Sequence, residues 1–184
     1  ENGVLFDKTK THLIQYPAQK TDTTYTIPNS VTTIGDHAFH ACTALTSVEI
    51  PDSVTSIEEY AFADCYSLTS ITIPKSVTFL GDCAVAECME FEYTNLTEVL
   101  VEDGNPSYVS QNGVLFNREK TQILRYPAGK AGVGYTIPNG VVSIGDHTFC
   151  CCEQLTWIAI PNSVTSIGRL AELRMNGIIF PSAL

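Results

Sequence analysis

The chain has 184 residues, 44% of them apolar, with 20 acidic and 10 basic side chains and a formal charge of −10. That balance makes nucleic acid a poor partner and disfavours an anionic membrane surface, because both are held through Lys and Arg. No run approaches the roughly 18 apolar residues of a membrane helix, so no membrane insertion is expected in this segment.

The chain opens in mid-pattern at Asn2-Gly3-Val4-Leu5-Phe6 with no visible signal peptide, and reads as a trimmed product. Residues 1–26 read as a β-hairpin segment. Val4–Phe6 and Leu13–Tyr16 are β-prone, a polar link separates them, and Pro17 ends the second run.

From Ile27 a 23-residue pattern begins: IPNSVTTIGDHAFHACTALTSVE. It recurs from Ile50 as IPDSVTSIEEYAFADCYSLTSIT and from Ile73 as IPKSVTFLGDCAVAEC, which places three repeats over 27–101. Within each repeat, Leu45-x-x-Val48-x-Ile50 reads as a strand and Pro51 turns the chain. Val54-x-x-Ile57 reads as a second extended piece, and Ala61-Phe62-x-x-Cys65-x-x-Leu68 has the spacing of a short helical turn. The third repeat has Val85 where Phe recurs, and an insertion, Met89–Tyr93, before its strand resumes at Leu96.

Residues 102–136 hold a second hairpin segment, with NGVLFNREKTQILRYPAGK repeating NGVLFDKTKTHLIQYPAQK at an offset of 110. One full repeat from Ile137 and a partial one from Ile160 fill 137–168. Residues 169–184 read as a degenerate cap or a truncation, with a short capping helix over Arg169–Leu173 and the start of a third hairpin at Asn176–Phe180. A fixed period of this length predicts a solenoid, an α/β one with short parallel strands on one face, helical turns and extended pieces behind, and two inserted hairpins.

The pattern L-x-x-I-x-I-P-x-x-V-x-x-I-G-x-x-A-F-x-x-C, carried here by Leu45, Val48, Ile50, Pro51, Val54, Ile57, Ala61, Phe62 and Cys65, resembles the BspA-like leucine-rich repeat family. The resemblance covers nearly the whole chain. It implies a secreted or cell-surface protein that adheres to protein ligands, such as host or extracellular matrix proteins. The corresponding expectation is a non-catalytic binding module, extracellular or surface-anchored, without cofactor and monomeric. A structural spacer or self-associating scaffold is the alternative.

The cysteines number seven, and Cys42, Cys65, Cys88 and Cys152 share one repeat position, which reads as a column of buried thiols rather than a disulfide framework. Cys150 and Cys151 lie outside that column, as partly exposed reactive thiols or as drift. HAFHAC at 37–42 and HTFCCC at 147–152 suggest zinc on composition, but one of their slots also holds Tyr60 and Cys83, which argues against a metal. No nucleophile motif or glycine-rich phosphate loop occurs, so no enzyme is expected. Asp36, Asp82 and Asp146 read as turn residues. Asn95-Leu96-Thr97 is a sequon whose use depends on the host.

Alternation directs Val48 and Ile50 inward and leaves Ser47 and Glu49 outward. The same register exposes Thr24, Thr26, Ser70, Thr72, Glu98, Leu100, Gly134, Thr136, Trp157 and Ala159. The candidate ligand face is therefore Ser47, Glu49, Ser70, Thr72, Glu98, Thr136 and Trp157. Trp157, the sole tryptophan, is a binding anchor, a side chain packed on a neighbouring strand or loop, or drift in a tolerant slot.

Overall fold

A computed structural model describes residues 3–85 and 95–169, and the backbone of Gly177–Ile179. Its elements are all strands. The first hairpin is β1 (Leu5–Phe6) and β2 (His12–Gln15). Face strands and bridging strands then alternate as β3 (Thr24–Thr26), β4 (Thr33–Ile34), β5 (Ser47–Glu49), β6 (Ser56–Ile57), β7 (Ser70–Ile73), β8 (Phe79–Leu80) and β9 (Glu98–Val101). The second hairpin region holds β10 (Tyr108–Gln111), β11 (Val114–Asn117) and β12 (Gln122–Arg125). The alternation resumes with β13 (Gly134–Thr136), β14 (Ser143–Ile144), β15 (Trp157–Ala159), β16 (Ser166–Ile167) and β17 (Gly177–Ile179).

The face strands pair in parallel at one-repeat spacing, Ser47 beside Thr24 and Glu98 beside Ser70. The third group continues through β17, which runs parallel to β15. The bridging strands form a second parallel system into which each hairpin is built. β2 pairs with β4 through Leu13↔Ile34, and β12 pairs with β14 through Ile123↔Ile144. Two five-stranded sheets result, in the orders β1-β2-β4-β6-β8 and β10-β11-β12-β14-β16. The molecule is thus a β-solenoid with parallel strands on two sides.

The helical component expected from the Ala-Phe-x-x-Cys spacing is absent: no helix occurs among the described residues. These segments are successive turns. His37, Tyr60 and His147 sit in the left-handed region at φ 56°, 54° and 53°, and Ala41, Asp64 and Cys151 do so again four residues later. A residue there ends a right-handed helix, so two per segment divide it into separate turns. Backbone bonds to the next repeat replace the missing helical ones, as when the Phe39 N–H donates to Ala61 O at 2.7 Å. The suggested helix over Arg169–Leu173 lies, beyond Arg169, outside the described residues, as do Cys88 and the insertion Met89–Tyr93.

A column of aromatic rings fills the interior. Phe39 stacks on Phe62 with centroids 4.9 Å apart, and Tyr16 stacks on Phe39 at 5.3 Å. Tyr126 meets Phe149 in the second array at 5.6 Å. Tyr16 and Tyr126 each stand one period before a repeat Phe, so the hairpins contribute rings in repeat register. Beside the rings run the thiols. Cys65 Sγ donates to Phe39 O at 3.0 Å, Cys42 Sγ to Tyr16 O at 3.9 Å and Cys152 Sγ to Tyr126 O at 3.7 Å. The slot therefore takes a small apolar side chain with a weak donor, which satisfies the preceding repeat's carbonyl. Burial pushes the Cys152 thiol up to about 12. Cys83 is disulfide-bonded.

Candidate protein-binding face

The face strands are short because Pro28, Pro51 and Pro74 close the ladder just beyond them. A threonine before each strand clamps it to its neighbour: Thr46 Oγ1 donates to Thr23 O at 3.0 Å, Thr97 to Thr69 O at 3.0 Å and Thr156 to Val133 O at 2.8 Å. Their inner residues anchor the face in the core, with Ile71, Val99 and Ile158 buried. What remains outward has fixed spacing and direction, set by the backbone.

Thr24, Thr26, Ser47 and Glu49 are exposed and adjoin across β3 and β5, where the Thr26 hydroxyl donates to Glu49 Oε2 at 3.0 Å. On β7 and β9, Thr72 is exposed, whereas Ser70, Glu98 and Leu100 are half-buried. The cause at Glu98 is the second hairpin. Gly113 packs so closely that a Cβ there would stand 2.8 Å from Glu98 Cβ, and Val99 N–H donates to Gly113 O at 2.8 Å. The sequence contained no signal for this contact, since the residues come from segments that do not share a repeat register.

On β13 and β15, Thr136 is exposed and Gly134 and Ala159 are half-buried. Trp157 does not project from the face: it is half-buried, its indole lying over Gly134, its parallel partner. The seven candidate residues thus fall on three hydrogen-bonded strand groups, with β5 of the first adjoining β7 of the second.

Two further features escape a reading by repeats. Asn105 is fully buried and joins the second hairpin to the third repeat. Its Nδ2 donates to Pro74 O at 2.8 Å and Val77 O at 2.9 Å, and its Oδ1 accepts from the N–H groups of Ser107 and Tyr108. A cavity of about 490 Å³ lies at the same junction, lined by Asp82, Tyr108, Asn117, Arg125, Asp146 and His147 among others. The turn aspartates also reach further than local turn bonding requires. Asp36 Oδ1 accepts from Glu59 N–H at 3.2 Å and Asp146 Oδ1 from Arg169 N–H at 2.6 Å, each in the next repeat.

The histidines serve packing and pairing. His37 stacks on Tyr60 at 5.0 Å, and His40 Nε2 lies 3.0 Å from the buried Asp64 carboxylate. Among the described residues no three His, Cys, Asp or Glu side chains are arranged to hold a metal ion. No helix among them is long and apolar enough to cross a membrane.

Comparison with known proteins places this architecture. The BspA type leucine rich repeat region matches in six copies over residues 18–111 and 133–180. The crystal structure of a leucine rich cell surface protein from Faecalibacterium prausnitzii is similar at 36% identity and a TM-score of 0.73, over 85% of this chain and 41% of that one. The pneumococcal vaccine antigen PcpA is similar at 27% identity and a TM-score of 0.74, over 85% of this chain and 39% of that one. The chain therefore spans about two fifths of the length of these two structures. No curated protein matches it. The matched family is defined by a structural repeat and not by a catalytic site. With its repeats matched over most of its length, the chain belongs to the BspA-type leucine-rich repeat family.

Proposed function

We propose that the chain is a non-catalytic protein-binding module of a secreted or surface-anchored protein, serving adhesion, with its ligand on the parallel-strand face. The observation that carries this reading is the patch Thr24, Thr26, Ser47 and Glu49. It is polar and exposed, and parallel backbone pairing holds it in place although the core does not need those side chains. Such a surface binds without first having to be ordered, which lowers the entropic cost of association. The likeness to a leucine rich cell surface protein supports a surface location. So does the disulfide at Cys83, since disulfides persist in oxidising compartments. The charge of −10 favours a ligand with a basic contact surface.

The test is binding of the purified chain to extracellular matrix and plasma proteins, beside a Ser47→Arg/Thr72→Arg double variant and Trp157→Ala. Saturable binding weakened at least about tenfold by the double variant is expected, as bulk and like charge enter the contact. Binding untouched by it overturns the strand-face assignment and moves the contact to the hairpins. Concentration-dependent self-association without any ligand favours the scaffold reading instead.

A further inference from the structure

We propose that Cys150 and Cys151 form a vicinal dithiol site that reacts with small disulfides by thiol–disulfide exchange, Cys150 attacking and Cys151 resolving. The two Sγ atoms lie 3.5 Å apart, and both residues are half-buried at the surface. They stand outside the structural thiol column, whose members Cys42, Cys65 and Cys152 are buried and point at carbonyl oxygens. In the first array the two positions hold His40 and Ala41, so the fold does not require sulfur there.

The surroundings suit a thiolate. Arg125 is buried beneath this turn, where the first array has Gln15, and its Nη1 donates to His147 O at 2.6 Å. The second array therefore differs from the first by a thiol pair and a buried cation together. The Cys151 thiol donating to it, together with Arg125 and His147, holds Cys150 down at about 6 against the opposing effect of burial. At neutral pH Cys150 is then largely the thiolate, the nucleophilic form.

The chemistry balances without a further reactant. The Cys150 thiolate attacks one sulfur of an external disulfide, a Cys150 mixed disulfide forms, and the other half departs as a thiolate that takes a proton from water. Cys151 gives up its proton, attacks Cys150 Sγ and expels the second half. The protein's two thiols end as one disulfide, and the external disulfide ends as two thiols.

The experiment uses iodoacetamide and oxidised glutathione on the whole chain, with each cysteine followed by peptide mass mapping. In the wild type, Cys150 alkylation should reach half its maximal rate near pH 6. At neutral pH it should exceed that of Cys152 by at least about tenfold. With oxidised glutathione the wild type should close the Cys150–Cys151 bond. Cys151→Ser should stop at the glutathione adduct on Cys150, and Cys150→Ser should form neither. Alkylation of wild-type Cys150 no faster than that of Cys152 overturns the proposal, and this arm needs no variant to fold. Cys151→Ser failing to accumulate the adduct overturns the resolving role.

Discussion

The indole of Trp157 occupies the space a side chain on Gly134 would need: a Cβ at Gly134 would collide with Trp157 Cε2. The corresponding pair in the first array is Thr24 beside Ser47. Each array thus fills the same area of the face with a different division between neighbours. Gly134→Thr should expel the indole, shift the emission of the chain's sole tryptophan to the red, and cost about 1–3 kcal/mol through overpacking. Adding Trp157→Ser should recover at least about 1 kcal/mol, because the two sites are in contact and do not add. Unchanged emission in the single variant would show that the indole does not rest on Gly134.

Asn105 is a polar junction in the interior. Its side chain is fully buried, with two donated and two accepted hydrogen bonds. Asn105→Ala should destabilise by on the order of 3 kcal/mol, because the carbonyls of Pro74 and Val77 and two N–H groups lose their partner together. Denaturant titration checks the size. Hydrogen exchange should show the added opening concentrated at Tyr108–Gln111 and its pairing strand Val114–Asn117.

The parts of this fold that recur were legible in the sequence, and the parts that occur once were not. Leu45, Val48, Phe62 and Cys65 announce their positions because neighbouring repeats hold equivalents. Asn105, just before Pro106, has no equivalent in the other repeats to announce it. The helical turns were misread for a different reason. A three-residue spacing from Phe62 to Cys65 suits a helix, but successive turns produce it too, and the left-handed positions that decide between them hold Tyr60 and Asp64 rather than glycine. Tyr16 stood in period with Phe39 all along, yet the hairpin sequence around it hid the register. The candidate face was legible only as alternation. Its partial covering by Gly113 and the indole's fold onto Gly134 depend on contacts across segments.

Phe62 tests whether the ring column is cooperative. It is 3% exposed and stacks on Phe39 with an interplanar angle of 9°. Phe62→Ala should cost about 3–5 kcal/mol, lost transfer energy plus a cavity that the stacked repeats cannot readily close. Because each repeat contacts mainly its neighbours, the loss should also broaden the unfolding transition rather than only shift it. A loss below about 1 kcal/mol in thermal or urea unfolding would contradict the repeat register.

Acid should weaken the first hairpin turn, and Asp7 identifies where. The Thr9 hydroxyl and the N–H groups of His12 and Thr11 donate to its carboxylate and hold it down at about 2, from an ordinary value of 3.8. A carboxyl held lower in the folded state stabilises above the unfolded value, and that contribution disappears as pH falls through the folded one. Stability from Asp7 should therefore be complete above about pH 5 and decline between about pH 4 and pH 2. The second hairpin has Asn117 at this position, where Oδ1 accepts from Gln122 N–H at 2.8 Å without any charge. Asp7→Asn should keep an acceptor for the turn and remove its titration. Urea midpoints of wild type and variant should then differ at neutral pH and converge in strong acid. A difference that stays constant with pH would show that the bonds to Asp7 do not depend on its charge.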